Sequence, residues 1–205
     1  MAVDNDAGSL RERKRARTRE AILDAAMELF ATRGYDGTTF ADIAAAAQIA
    51  TRTFFGYFAS KEELLFPGAD ARVQAAIGAI ATRAKDDRPS DVLLRALGNV
   101  MDSGYDFADA KGALRFRLIH TVPAVRRRGL QLQLDAQREI ARHLRAAYPD
   151  ELDEVTAGAI VGAFVGAVTG AVQAITEAGP PEDPDARSAI LRRGADVALR
   201  PWREL

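Results

Sequence analysis

Apolar positions along this chain recur every three or four residues. No segment sustains the two-residue alternation of a half-buried strand, so the pattern predicts an all-α protein. Ile22, Ala25, Ala26, Leu29 and Phe30 mark one face of a helix from Thr18 to Arg33, and Gly34 is its natural stop. Thr39 with Asp42 three residues on reads as an N-cap with an acidic partner, opening a helix of scarcely two turns to Ala47. A second short helix is expected from Thr51 to Phe58. Ser60, Lys61, Glu62 and Glu63 form a capping box for a long helix through Leu64, Val73, Ile77 and Ile80 to about Ala84, in which Pro67 imposes a kink or a later start.

Ser90 is the expected cap of the next helix, which carries Leu94, Leu97 and Met101 towards Phe107. A shorter helix spans Lys111 to Thr121, and Pro123 permits a new start for a long Arg- and Gln-rich helix ended by Tyr148, Pro149 and Asp150. Another runs from Asp150 to Ala178. Asp183 and Pro184 then supply the cap and first position of a last helix, Asp185 to Leu199. The sum is nine helices with no solenoid period. They are expected as two modules: a basic, flexible arm at 1–17 leads into a small three-helix domain at 18–60, and a larger helical domain fills 61–205.

Composition removes several function classes. The chain has no cysteine, so disulfides, thiolate metal sites and cysteine nucleophiles are excluded and a reducing cytoplasm is the expected setting. Two histidines without metal-ligand spacing, and no Gly-rich phosphate loop, assemble no catalytic constellation. No enzyme activity, metal or cofactor is therefore expected. The first twenty residues are polar and basic, so no signal peptide is read there. The net charge of −1 conceals a segregation, since residues 11–19 hold six positive charges and one negative. Arg11, Arg13, Lys14, Arg15 and Arg17 thus point to a polyanion such as DNA, with a solvated charge run as the plainer alternative.

Residues 39–58 suit a helix laid in the major groove with a second helix packed across it. Ile43, Ala44, Ile49, Phe54 and Phe58 can pack inward, while Thr51, Arg52, Thr53 and Tyr57 occupy the opposite face. Hydroxyls and a guanidinium suit phosphates and base edges alike.

From Gly34 to Leu65 the sequence reads GYDGTTFADIAAAAQIATRTFFGYFASKEELL. It resembles the N-terminal signature of the TetR family in its Gly-aromatic opening, Thr-Thr pair, Ile-Ala pair, Tyr-Phe end of the recognition helix and Ser-Lys-Glu start of a fourth helix. The segment from Arg117 to Pro123 resembles the sixth-to-seventh helix junction of many members. The resemblance implies a nine-helix fold with an N-terminal helix-turn-helix domain and a C-terminal ligand-binding and dimerisation domain. It implies a homodimeric transcriptional repressor that leaves a palindromic double-stranded operator when a small, largely apolar effector binds. It also implies that Thr39 caps the second helix against a phosphate, that Thr51, Arg52 and Thr53 face the groove, and that Tyr57 and Lys61 hold the DNA backbone. Lys61 has a further warrant in its place at a helix N-terminus. Two departures stand out. Gln48 and Ala50 replace the usual turn glycine and small hydroxyl, so that Thr51 would take over the capping, and Gly56 leaves Arg52 as the only long side chain on the recognition helix.

For the effector cavity the resemblance supplies only a location; candidate lining residues are Met101, Tyr105, Phe107, Phe116, His120 and Phe164, for each of which plain core packing is the alternative. Residues 157–176 contain no charge and are long enough to span a bilayer. Acidic flanks, Gln173, Thr169 and Thr176 argue against a membrane, and Gly158, Gly162, Gly166 and Gly170 form a small-residue stripe suited to close helix packing. The helices Asp150 to Ala178 and Asp185 to Leu199 are thus the expected homodimer surface. A helical adaptor or membrane-associated protein without sequence-specific DNA binding is the alternative.

Overall fold

The computed structural model describes residues 4–103 and 109–203. Among these residues are nine α-helices, two short 3₁₀ turns and no strand. The helices are α1 (Asp4–Arg33), α2 (Phe40–Ala46), α3 (Thr51–Phe54), α4 (Ala69–Ala81), α5 (Pro89–Asp102), α6 (Ala110–Thr121), α7 (Pro123–Ala147), α8 (Glu154–Ala178) and α9 (Pro184–Leu199). They fall into two compact units, one comprising the chain up to Pro67 with Thr121–Val125, the other Gly68–His120 with Arg126–Leu205.

In the first unit, α1 packs on α2 and on a 3₁₀ turn at Glu62–Leu65, and α2 packs on α3. Ile22, Ala26, Phe30, Ile43, Ala44, Phe54, Phe58, Leu64 and Leu65 are buried, as the sequence pattern predicts for the first seven. Gly34 takes the left-handed conformation (φ +78°) that ends α1, where a side chain would be strained. Two expected boundaries move. α1 starts at Asp4 rather than Thr18, because Leu, Arg, Lys and Glu favour the helix and no proline intervenes. The helix expected from Ser60 is a 3₁₀ turn instead, and α4 starts only at Ala69. Pro67 lacks an amide proton and Gly68 is left-handed (φ +71°), so the later start prevails.

In the second unit, α4 packs on α5, α5 on α9, and α8 along α9. The core joins Ala76 and Ile80 of α4, Val92, Leu93 and Leu97 of α5, Ile140 and Leu144 of α7, Ile160, Val161 and Phe164 of α8, and Ala195 and Leu199 of α9. α8 and α9 come close at Gly194, where an added Cβ would lie 3.0 Å from Ala171 Cβ. Tyr148 ties the helix ends together. Its hydroxyl donates to Asp87 O at 2.7 Å, and the Arg83 guanidinium lies 4.3 Å from its ring centroid. Asp87 also accepts from Arg95 at 2.7 Å and from the Ala84 amide at 2.8 Å.

Caps differ from expectation at three places. Ser90 is the second residue of α5 and buried, while Arg88 in extended conformation precedes Pro89 at the first position. α8 starts at Glu154 rather than Asp150, because the Asp153 carboxylate accepts from the Thr156 amide at 2.7 Å and fixes the start there. α5 ends at Asp102, short of Phe107. Asp183 caps α9 as expected, accepting from the Asp185 amide, and Pro123 begins α7.

Candidate nucleic-acid interface

Two helices of the first unit, α3 and α2, are too short to persist alone at four and seven residues, so local chemistry must hold them against α1. Thr39 does so for α2. Its hydroxyl oxygen accepts from the Asp42 amide at 3.1 Å, and the Asp42 carboxylate accepts from the Thr39 amide at 2.8 Å and hydroxyl at 2.5 Å. These bonds, with the Arg33 guanidinium 3.5 Å away, hold the Asp42 carboxyl below its ordinary range. The reciprocal box expected from sequence is complete, and the Thr39 hydroxyl proton already has an acceptor.

The turn after α2 closes through two hydrogen bonds, Ile49 N to Ala44 O at 2.9 Å and Gln48 N to Ala45 O at 3.0 Å. This is the Schellman pattern, whose C′ residue must be left-handed. Gln48 adopts φ +56° and so occupies a conformation suited to glycine. α3 then follows Ala50, which has no side-chain cap, so Thr51 does not take over that role. α3 proper ends at Phe54 rather than Phe58. Helical turning continues through Gly56 N to Thr53 O, Tyr57 N to Phe54 O and Phe58 N to Phe54 O.

Thr51, Arg52 and Thr53 are all exposed. Beneath them Phe54 is fully buried, with its ring 5.3 Å from Phe40 and 5.9 Å from Phe58. α3 thus presents two hydroxyls and one guanidinium outward from a fixed aromatic base. Tyr57 is half-buried, with the Arg15 guanidinium 5.8 Å from its ring centroid, and Arg19 lies 5.0 Å from the Phe58 centroid. Arg11, Arg13, Lys14, Arg15 and Arg17 are exposed along α1. Arg15 and Arg19 therefore tie the basic segment to the turn after α3, a link that spacing alone does not show.

Lys61 is placed differently from the sequence expectation. It is itself the residue preceding the 3₁₀ turn, and its ammonium donates to Tyr35 O and Thr38 O, both at 2.9 Å, while lying 4.3 Å from the Tyr35 ring centroid. Beside it the Tyr35 hydroxyl donates to Glu62 Oε1 at 2.7 Å. Burial and this carboxylate push the Tyr35 phenol far above its ordinary range. Burial is the largest single influence on Glu62 and opposes its ionisation, but the hydrogen bonds from Tyr35, its own backbone amide and Ser60, with the Lys61 charge, together outweigh it and lower the carboxyl. Lys61 and Glu62 thus clamp the loop between α1 and α2. The pairing of Tyr35 with Glu62 is not visible in the sequence, because the two residues lie 27 positions apart.

Of the residues considered for an effector, Met101 packs at the junction of the main core with a smaller cluster around Ile175 and Leu191, and Phe164 belongs to the main core. Phe116 stacks on His120 within α6, with centroids 4.3 Å apart. Tyr105 and Phe107 lie outside the described residues. Two open clefts of about 630 and 610 Å³ are lined by other side chains, among them Ile77, Ile80, Arg83 and His143 in the first. Among the described residues no cluster of His, Cys, Asp or Glu could hold a metal.

A short exposed helix braced across a second, with the intervening turn closed by backbone bonds, defines a helix-turn-helix protein. Residues 22–66 match the bacterial regulatory proteins of the tetR family. The HTH-type transcriptional regulator TcmR of Streptomyces glaucescens is 34% identical over 152 residues, which span 71% of this chain and 66%, just under two thirds, of TcmR. A TetR-family transcriptional regulator from Mesorhizobium loti MAFF303099 has a similar structure, with a TM-score of 0.58 at 16% identity over 92% of this chain and 96% of its own. The TetR-family repressor FadR of Thermus thermophilus, solved with lauroyl-CoA, gives 0.55 at 24% identity over 88% and 93%. Residues 22–66 thus carry the signature of the tetR family of bacterial regulatory proteins, and the chain is similar to members of that family along most of its length.

Proposed function

We propose that this chain is a ligand-responsive DNA-binding transcriptional regulator, a repressor released from a palindromic operator by a small-molecule effector. The observation that carries the reading is the exposed Thr51-Arg52-Thr53 face on a helix whose other side is locked by Phe54. Arg52 reads base edges, with guanine the usual partner of arginine, and the threonines and Tyr57 contact phosphates or bases. The basic face of α1 adds sequence-independent attraction, which releases counterions and makes binding salt-dependent. The domain boundaries proposed are those of the sequence, with DNA binding at 18–60 and effector binding and dimerisation at 61–205. The protein works in the cytoplasm, where its DNA lies.

Dimerisation is assigned to α8 and α9. α8 is the single described helix long and apolar enough to cross a membrane, with 28% of its apolar window buried within the chain. Its glycines at 158, 162, 166 and 170 would meet nothing within 4 Å if given a Cβ, so this face is open in the single chain. A second copy covers it more economically than lipid does, since isologous packing buries the same patch twice. The effector favours a conformer in which the dimer's two recognition helices no longer match the half-site spacing, and it shifts the population accordingly. Met101 and Phe164 belong to the proposed effector site.

Gel-shift titration of a selected operator against its scrambled sequence tests the reading. Preferential, salt-sensitive binding is expected, and equal affinity for both would reject it. Light scattering should give a dimer, and Gly166→Arg should give a helical monomer. A Gly166→Arg dimer would remove α8 from the interface.

A further inference from the structure

Phe55 is 54% exposed, although its neighbour Phe54 is fully buried and supplies the packing that the turn needs. Its backbone stays helical at φ −66°, ψ −12°, so it shares a face with Thr51 four residues earlier and Arg52 three residues earlier. The ring is held in place from behind. Its centroid lies 5.2 Å from that of Phe40 and 5.5 Å, edge to face, from that of Phe54. Gly56 follows and is exposed, so no adjacent side chain shields the ring. The result is a rigid apolar surface in the middle of a polar recognition face.

We propose that Phe55 reads a thymine C5-methyl group in the major groove of the operator. The argument is one of elimination by chemistry. A phenylalanine ring has no donor for a phosphate and no acceptor for a base amine. The major groove displays one apolar group, the thymine methyl, and phenylalanine is among the side chains suited to it. Preorganisation strengthens the assignment, because a ring already fixed by two neighbours loses little freedom on contact. Arg52 and Phe55 then read complementary features, a guanine edge and a thymine methyl, and between them they offset the absence of a side chain at Gly56. The inference rests on the proposed DNA-binding reading.

The test separates the two. The purified protein first selects duplexes from a random-sequence pool, and failure to enrich any sequence counts against operator recognition itself. Each thymine of the selected duplex is then replaced singly by deoxyuridine, which removes only the methyl. Wild type should lose about fourfold in affinity at one position of each half-site, the effect of one buried methyl group. Phe55→Ala should bind the thymine duplex about as weakly as wild type binds the deoxyuridine duplex, and should show no further loss on deoxyuridine. Phe55→Leu, which keeps apolar bulk should the alanine variant not fold, should retain part of the methyl preference. The proposal is overturned if no deoxyuridine position weakens wild type. It is equally overturned if the full penalty persists in both variants, which would assign the methyl to Thr51 or Thr53.

Discussion

The two units solve the same problem with different materials. The first unit sets the short helices α2 and α3 against the 30-residue α1, and it relies on aromatic contacts, Phe30 with Tyr35 and Phe54 with Phe40 and Phe58, fastened by Thr39 with Asp42, Lys61 with the loop carbonyls, and Tyr35 with Glu62. The second unit uses long helices of 14 to 25 residues in α5, α7, α8 and α9, filled with Ala, Leu, Val and Ile, with a polar knot at Tyr148, Asp87 and Arg95. Long helices supply their own hydrogen bonds, and short ones depend on tertiary support. Directional contacts fix one geometry, as a sequence reader requires. Small apolar side chains on open helix faces allow repacking, as the proposed sensor and dimer surface require.

The comparison breaks most sharply at the aromatic base. Phe54→Ala should cost about 3–5 kcal/mol, because a fully buried ring leaves a cavity among three other rings. Leu144→Ala in the second unit should cost about 2–5 kcal/mol, with more relaxation available around aliphatic neighbours. Hydrogen exchange resolved by segment is the measurement. Phe54→Ala should raise exchange in α2 and α3 most, and a uniform rise across both units would show that the first is not separately held.

A second pair separates reading from clamping. Arg52→Ala should cost about 1–3 kcal/mol of discrimination between operator and scrambled DNA, with an unchanged melting midpoint. Lys61→Met should lower stability by about 1.5–3 kcal/mol, since it removes two charge-assisted bonds to Tyr35 O and Thr38 O. Were Lys61→Met to melt like wild type and yet weaken binding to every duplex, its role would return to the phosphate contact that the sequence suggests.

Much of this was legible beforehand, for identifiable reasons. Caps and stops are local, so Thr39, Gly34, Pro123, Asp183 and Pro184 could be read directly and lie where expected. Periodicity likewise identified the buried faces of α1 and α2 and the inward Phe54 and Phe58. The connector failed because Leu64 and Leu65 fit a helix and a 3₁₀ turn equally, and only the Pro67-Gly68 geometry decides between them. The bonds of Lys61 were not legible because its acceptors come from a loop more than twenty residues away. The effector residues were least legible, since an apolar side chain that lines a cavity and one that fills a core look alike in sequence.

The capping box offers a smaller test. Thr39→Ala should cost about 1 kcal/mol. The Asp42 carboxyl is lowered chiefly by the Thr39 hydroxyl and amide, and Glu62 is lowered by Tyr35, Ser60, its backbone amide and Lys61 together against opposing burial. Depressed carboxyls contribute stability above their unfolded values of about 4, and that contribution is lost as the pH falls through the folded values. The melting midpoint of the first unit should therefore fall with acid, and less steeply in Thr39→Ala. Equal steepness in the two proteins would show that the box does not hold the Asp42 charge.

The smallest expected effect concerns the turn itself. Gln48 sits at φ +56° as the C′ residue of the Schellman turn, a position where a side chain costs energy that glycine does not. Gln48→Gly should stabilise the first unit by about 0.5–1 kcal/mol, offset in part by the greater freedom of glycine in the unfolded chain. A thermal melt would register this as a rise of a few degrees. The informative reading is the operator affinity beside it. The bonds Ile49 N to Ala44 O and Gln48 N to Ala45 O already fix the path of the chain into α3, so glycine should leave affinity unchanged while raising stability. A gain in stability with weaker operator binding would instead show that the Gln48 side chain, exposed beside α3, takes part in the grip on DNA.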